Sequence, residues 1–109
     1  MNALSDLFKV LSDDTRLRII NLLDKQDLCV CELVEILKLS QPKISKHIAR
    51  LRSINLVNTK RNEQYIYYSL NRSNLEYMNI IKTVLQTDNI ELLDDIKNLE
   101  KVETFVCSK

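Results

Sequence analysis

Residues 39–53 read LSQPKISKHIARLRS, a pattern that predicts one helix with two different faces. Ser40 is suited to cap the helix, and Pro42 fits its first turn because the N–H that proline lacks would have no partner there. The apolar stripe that the helix would bury consists of Ile44, Ile48 and Leu51. A separate face carries Lys43, Lys46, His47 and Arg50 at positions i, i+3, i+4 and i+7. The segment is therefore expected to present a basic surface on an apolar anchor.

The segments on either side predict a helix-turn-helix followed by a hairpin. A shorter helix precedes, with an apolar face made of Leu33, Ile36 and Leu37. The turn between the two helices falls at residues 38–40, and such a pair with a basic outer face is typical of DNA-binding proteins. The strands of a hairpin are predicted at 56–61 and 65–70, where they would form a wing. An ordinary helical bundle with a solvated basic face is the alternative interpretation.

Apolar side chains at helical spacing predict four more helices. They are marked by Leu4, Leu7, Phe8 and Leu11, by Leu17, Ile20 and Leu23 after a cap at Ser12 or Asp13, by Leu75, Met78, Ile81 and Leu85, and by Leu92 or Leu93, Ile96 and Leu99. The expected fold class is mainly α with a small β-hairpin, an α+β winged helix-turn-helix. The apolar stripes at both ends favour a homodimer over a larger monomeric core. The predicted domain spans 1–100, and a C-terminal tail spans 101–109.

The distribution of charge is more informative than the total. The chain has 109 residues and a net charge of +1, yet residues 38–62 carry seven basic side chains and no acidic one. Acidic side chains dominate residues 76–103, so one region suits phosphate while another repels it. Without glycine, left-handed turns are expected at Asn, Asp and Ser, with Asn55 ending the basic helix. No apolar run is long enough to cross a membrane and no signal peptide is recognisable, so the cytoplasm is the expected compartment.

The three cysteines favour thiols or metal ligands over a disulfide framework in such a chain. Cys29 and Cys31 flank one valine at the start of the third predicted helix, and Cys107 lies far along the chain. Thiolates are soft ligands suited to arsenite, antimonite, cadmium, lead or zinc. Side chains at i and i+2 of a regular helix point about 200° apart, so one ion bound to both sulfurs would distort the start of that helix. Burial as small apolar side chains is the alternative role.

Three ordered segments of the chain are similar to those of the ArsR/SmtB family of metal-responsive transcriptional repressors. They are LSDDTRLRII at 11–20, DLCVCEL at 27–33 and LSQPKISKHI at 39–48. The resemblance implies a winged homodimer that represses by binding two-fold symmetric double-stranded operator DNA and leaves it when a toxic ion binds. No cofactor is expected besides the inducing ion, and no membrane partner is expected.

The resemblance places the DNA-binding residues on the basic helix and on the wing. They are Ser40, Gln41, Lys43, Ser45, Lys46, His47 and Arg50 on the helix, and Lys60, Arg61 and Gln64 on the wing. Gln41 and His47 are suited to base edges in the major groove. Lys43, Lys46 and Arg50 would mainly hold phosphates. His47 is the only histidine, and a metal role is not expected for it on this face.

The resemblance also makes Cys29 and Cys31 ligands of the inducer, with arsenite or antimonite as the leading candidates. Arsenic(III) prefers three sulfurs, and Val34 stands where some relatives have a third cysteine, so Cys107 is the candidate third ligand. No histidine lies between residues 71 and 109, which argues against a zinc site on the last helix.

Two other functions stay open at this point. The first is a repressor of the same fold that is switched by a disulfide between Cys107 and either Cys29 or Cys31. The second is a winged-helix module that binds proteins instead of DNA. An enzyme is not expected, since the chain has neither a glycine-rich phosphate loop nor a recognisable nucleophile–base pair.

Overall fold

The computed structural model describes residues 3–86 and 89–102 of the chain. The elements in chain order are α1 (Ala3–Leu11), α2 (Asp14–Lys25), β1 (Leu28–Cys29), α3 (Val30–Leu37), α4 (Gln41–Ser53), β2 (Val57–Asn62), β3 (Tyr65–Leu70), α5 (Leu75–Leu85) and α6 (Ile90–Val102). The predicted fold class is confirmed, and the hairpin β2–β3 follows the pair α3–α4 directly. Within these described ranges no helix is both long enough and apolar enough to span a membrane.

Side-chain caps begin α2 and α4 at the predicted residues. Asp13 Oδ1 accepts a hydrogen bond from the N–H of Arg16 at 3.1 Å. Ser40 Oγ accepts one from the N–H of Lys43 at 3.4 Å, and Pro42 occupies the first turn of α4. The first N–H groups of a helix have no partner within it, so these caps define where both helices start.

One apolar core holds the helix-turn-helix in place. The buried residues of α3 and α4 are Leu33, Ile36, Leu37, Ile44, Ile48 and Leu51, as predicted. Burying one aliphatic side chain of this size contributes about 1.5–3 kcal/mol to stability. Rotating α4 about its axis would expose Ile44, Ile48 and Leu51 and lose this contribution for each of them. The basic face of α4 is held outward for this reason.

Left-handed backbone occurs at three residues of the described chain, Lys38, Asn55 and Glu63. The prediction for Asn55 is confirmed, but the wider expectation that Asn, Asp or Ser would fill these turns was wrong. Lys38 ends α3, where its N–H donates to the carbonyl of Val34 at 2.9 Å. The turn must connect the buried Leu37 to α4, and the packing of the two helices outweighs a steric cost of about 1–2 kcal/mol.

A third strand extends the predicted hairpin. β1 pairs antiparallel with β3, which gives the strand order β1–β3–β2. Cys29 of β1 lies opposite Tyr67 of β3, and Tyr67 lies opposite Lys60 of β2 on its other side. The sequence did not predict β1, because two residues are too few to show a strand periodicity. Backbone pairing therefore links the first cysteine of the pair to the wing.

A buried ion pair attaches α6 to α2. Asp95 is 1% exposed, and its two carboxylate oxygens accept hydrogen bonds from Nε and Nη2 of Arg18 at 2.9 Å each. The hydrogen bond with Asp95 raises the pKa of Arg18 above its ordinary value. Asn21 Nδ2 donates to the carbonyl of Leu92 at 3.1 Å, so buried polar groups at this contact have partners.

Large apolar side chains remain exposed on α1 and α5. Phe8 is 54% exposed and Leu75 is 74% exposed. The two helices touch where the hydroxyl of Tyr77 donates to the carbonyl of Ala3 at 2.7 Å. Exposed apolar residues on adjoining helices are typical of protein–protein interfaces, which agrees with the predicted homodimer.

Arg18→Met is expected to lower the free energy of unfolding by about 3 kcal/mol, because it leaves the Asp95 carboxylate buried without its partner. Urea unfolding at one fixed protein concentration measures the change. The control Arg72→Met removes an exposed pair with Asp24 and is expected to cost less than about 1 kcal/mol. Equal losses in the two variants would contradict this account of the buried pair.

Candidate nucleic-acid interface and cysteine pair

The outer face of α4 carries exposed polar and basic side chains. Gln41, Lys43, Ser45 and Lys46 are all exposed, whereas Ile44 and Ile48 of the same helix are buried. The last turn of α4 adds Arg50 and Arg52, and its first turn has no acidic residue. All the charges of this helix are therefore positive, as a surface that binds a phosphate backbone requires.

Two of the predicted contact residues also hold the helix itself. Ser40 is the cap of α4, and Arg50 is half-buried. Arg50 Nη1 donates to Ser53 Oγ at 3.1 Å, and Ser53 Oγ donates to the carbonyl of Arg50 at 2.6 Å. Because both side chains already have partners within α4, their contribution to DNA binding stays a prediction.

The wing presents its predicted residues to solvent. Lys60 and Arg61 on β2 and Gln64 at the tip are exposed. Glu63 and Gln64 form the two-residue connection between β2 and β3. Glu63, for which no role was predicted, puts one acidic side chain beside Gln64 at the tip.

His47 differs from the other predicted contacts because its ring packs against α2. The side chain is 14% exposed, and its Nδ1 lies 3.4 Å from Arg16 Nη1 and 3.9 Å from Asp13 Oδ1. Burial lowers the pKa of His47, the Asp13 carboxylate opposes this, and the positive charges of Arg16, Lys43 and Lys46 lower it further. The lowered pKa favours the neutral form of the ring.

Asp13, predicted only as a helix cap, and Arg16, for which no role was predicted, both lie beside His47. Burial by itself raises the pKa of Asp13, but the hydrogen bond from the Arg16 N–H and the charges of His47 and Arg16 outweigh it, so the pKa is lowered. Both belong to the segment 11–20, which carries part of the family resemblance without an assigned site. Arg16 and His47 are 31 positions apart, so no local pattern indicates their contact.

The two cysteines have unlike environments. Cys29 is 3% exposed, has extended backbone and stands immediately before α3 as its cap residue. Its N–H donates to Glu32 Oε1 at 3.0 Å. Cys31 is the second residue of α3 and is exposed. The premise that both side chains project from one regular helix was wrong, because α3 begins between them.

Neither cysteine of the pair is in a disulfide. Residues 3–86 and 89–102 contain no group of three or more His, Cys, Asp or Glu side chains arranged to hold a metal ion. Cys107, the predicted third ligand, lies outside the described residues. The pair therefore supplies two sulfurs, of which one is accessible without any change of the backbone.

The chain is similar to known bacterial regulatory proteins. A family model described as "Bacterial regulatory protein, arsR family" matches residues 13–59. The arsenical resistance operon repressor of Staphylococcus xylosus is 40% identical over 86 residues, which are 79% of this chain and 83% of that protein. The arsenic resistance transcriptional regulator ArsR1 of Pseudomonas putida is 49% identical over 65 residues, 59% of this chain and 51% of that protein. The solved structure of HlyU from Vibrio cholerae matches with a TM-score of 0.69 and 34% identity, covering 75% of this chain and 87% of that one.

His47→Gln is expected to flatten the pH dependence of stability between about pH 7 and pH 5. The folded state lowers the pKa of His47, so the unfolded state binds more protons in this range. The free energy of unfolding therefore decreases as the pH is lowered. The contribution is complete above the ordinary pKa of 6.5 and is lost as pH falls through the lower folded value. Urea unfolding of both proteins at a series of pH values measures it.

The pH range in which Asp13 affects stability does not overlap with the range from pH 7 to pH 5. Its lowered pKa affects stability only below the ordinary value of 3.8, so Asp13 leaves the range from pH 7 to pH 5 unchanged. Parallel curves for the wild-type protein and His47→Gln from pH 7 to pH 5 would rule out a buried, neutral His47.

Proposed function

The chain belongs to the ArsR family of bacterial regulatory proteins, and from this we propose that it represses transcription as a homodimer bound to double-stranded operator DNA. Its relatives are transcriptional regulators and not enzymes. We further propose that arsenite, antimonite or another thiophilic ion binds its cysteine thiolates and releases the operator. The cytoplasm, where bacterial operators are found, is its proposed location.

The observation that carries the DNA-binding proposal is the orientation of α4. Its apolar stripe is buried in the core, which leaves Gln41, Lys43 and Lys46 exposed on the opposite side. A helix of this kind fits the major groove, where glutamine reads adenine and lysines neutralise phosphates. Lys60 and Arg61 add exposed positive charge on the wing. This pattern favours DNA over a protein partner as the ligand of the winged helix.

The state of the cysteine pair supports a switch through α3 and β1. A thiophilic ion reaches the exposed Cys31 directly, but Cys29 is buried at the cap of α3. One ion held by both sulfurs would therefore have to draw Cys29 out of its place. That movement would disturb the start of α3, which packs beside α4, and the pairing of β1 with β3.

The backbone ladder offers a route from this movement to the wing. Cys29 pairs with Tyr67, and Tyr67 pairs with Lys60, one of the proposed DNA contacts. A shift of β1 would consequently act on both proposed DNA-binding surfaces, α4 and the wing. A coupling free energy of about 1–3 kcal/mol would change operator affinity by roughly 5–150-fold.

Cys107 is the proposed third ligand of arsenic(III), which prefers three sulfurs. It lies beyond α6 in the sequence, and α6 packs on α2 and α3, the helix that begins beside the pair. The same arrangement would serve the alternative in which oxidation joins Cys107 to Cys29 or Cys31.

The proposed function is tested with an operator selected from a pool of random duplexes. A fluorescent copy of the selected duplex is bound to the protein and titrated with arsenite, antimonite, cadmium, lead and zinc while anisotropy is recorded. Release by arsenite or antimonite is the expected result. Release only after mild peroxide, with a loss of two titratable thiols, would replace the metal switch with the redox one. Failure to select any duplex, even in dilute buffer, would overturn the DNA-binding function.

Cys29→Ser and Cys31→Ser are each expected to retain wild-type operator affinity and to lose release by arsenite. Serine is a good helix cap, so Cys29→Ser preserves the start of α3 while it removes the sulfur. Cys107→Ser is expected to weaken release less than either. Anisotropy titration of all three variants measures this, and normal release from Cys29→Ser or Cys31→Ser would remove that cysteine from the ligand set.

Lys46→Ala is expected to lower affinity for DNA of any sequence, whereas Gln41→Ala is expected to lower sequence preference. Loss of a phosphate contact at Lys46 weakens binding to every duplex alike and reduces the salt dependence of log affinity by about one unit. Loss of a base contact at Gln41 relaxes preference at one operator position by about 1–3 kcal/mol. Affinities for a set of single-base operator variants measure both. Equal losses on every variant would remove Gln41 as a base-reading residue.

A further inference from the structure

Arg16 contacts two other helices from the first turn of α2. Its Nε donates to the carbonyl of Val10 at 2.9 Å, and its Nη2 donates to that of Lys9 at 3.4 Å. Its Nη1 lies 3.4 Å from Nδ1 of His47 on α4. One guanidinium thus joins the end of α1, the beginning of α2 and the DNA-facing helix α4.

The contacts with Lys9 and Val10 stabilise the C-terminal end of α1. The last carbonyl groups of a helix lack partners within it, and a guanidinium supplies several donors in fixed directions. The Ser12 hydroxyl also donates to the Lys9 carbonyl, at 2.7 Å. The helix α1 carries the exposed Phe8 of the proposed dimer surface. Through its contacts with α1 and with His47, Arg16 connects that surface to α4.

The contact with His47 favours one position for the proton of the imidazole ring. Arginine stays protonated and has donors only, so this contact is a hydrogen bond only when Nδ1 of His47 accepts. A neutral imidazole with an accepting Nδ1 has its proton on Nε2. The contact therefore leaves His47 with one donor, the Nε2–H, for a ligand of α4.

We propose that Arg16 is a positioning residue for DNA recognition, which holds His47 as its Nε2–H tautomer and ties α4 to α1. The helix α4 then offers DNA one hydrogen-bond donor of defined identity. Such a donor suits acceptors such as N7 and O6 of guanine, and it does not match the amino groups of adenine or cytosine. The tautomer concerns the protein alone, whereas the role in recognition rests on the proposed function.

Protonation of His47 would break this arrangement, because an Nδ1–H would meet the Arg16 guanidinium with like charge. The charged groups that face the ring are Asp13, the cap of α2, Arg16 of α2, and Lys43 and Lys46 of α4. Asp13 Oδ1, 3.9 Å from Nδ1, is the only acceptor among these four, so a protonated ring would turn towards it. The donor pattern belongs to the neutral ring, and pH 8 is the condition for testing it.

Nitrogen-15 NMR of the imidazole ring tests the tautomer in the free protein. The chain has one histidine, so its two ring nitrogens are the only imidazole signals. At pH 8 the wild-type protein is expected to show a protonated Nε2 and an accepting Nδ1, with no averaging between tautomers. Arg16→Met is expected to give averaged tautomers and a raised pKa of His47, because a donor and a positive charge are lost. An Nδ1–H tautomer in the wild-type protein, or unchanged signals in Arg16→Met, would overturn the assignment.

Operator affinity at pH 8 tests the role in recognition. The side-chain amide of Gln reaches the place of Nε2, whereas that of Asn reaches only the place of Nδ1. His47→Gln is therefore expected to stay within about threefold of wild type and His47→Asn to lose roughly tenfold. Arg16→Met is expected to weaken operator binding about fivefold in the wild-type protein. Added to His47→Asn, the same substitution is expected to weaken binding less than twofold further. Arg72→Met, which removes a guanidinium paired with the other end of α2, serves as the matched control and should change affinity less than twofold.

The outcomes separate the inference from the proposed function. If the wild-type protein binds no duplex, the proposed function fails and the NMR result alone decides the tautomer. If it binds and Arg16→Met costs the same in both backgrounds, Arg16 does not act through His47 and the inference fails. Arg16→Lys keeps the positive charge but lacks the several donors of the guanidinium. Wild-type operator affinity in this variant would indicate simple attraction to phosphate and would also overturn the inference.

Discussion

The burial of one face of α4 is the constraint on which the other features depend. Ile44, Ile48 and Leu51 enter a core shared with α2 and α3, and this determines the rotation of the helix about its axis. Once that rotation is set, Gln41, Lys43, Ser45 and Lys46 face solvent, whereas His47 packs against α2. The same packing requires a sharp turn at Lys38, where left-handed backbone is adopted despite its steric cost.

Short contacts connect the regions that a ligand-controlled regulator must coordinate. The cysteine pair lies at the junction of β1 and α3, so it adjoins both the wing ladder and the helix that precedes α4. Arg16 lies at the junction of α1, α2 and α4. In each case a side chain at a helix start serves two neighbouring elements, since helix ends have backbone groups that need partners. A movement at either junction would reach α4, the proposed DNA-binding helix, through few intervening atoms.

Local sequence predicted most of the elements, because their causes are local. The helices follow from apolar spacing, and their starts at Asp13 and Ser40 follow from capping side chains. The strand β1 and the left-handed Lys38 and Glu63 were not predictable in this way. A two-residue strand exists only because β3 lies beside it, and a lysine adopts the left-handed region only where packing on both sides of the turn requires it.

The sequence by itself determined that a short basic helix stands on an apolar stripe beside a wing, and that two cysteines lie at the start of the helix before it. It also determined the family, through three motifs in register. Only the tertiary structure decided that Cys29 is buried while Cys31 is exposed, and that His47 faces Arg16 instead of standing free among the lysines. Spacing along the chain specifies which face of a helix a residue occupies. The neighbours that cover that face come from distant segments, and their contacts set burial, hydrogen bonding and charge.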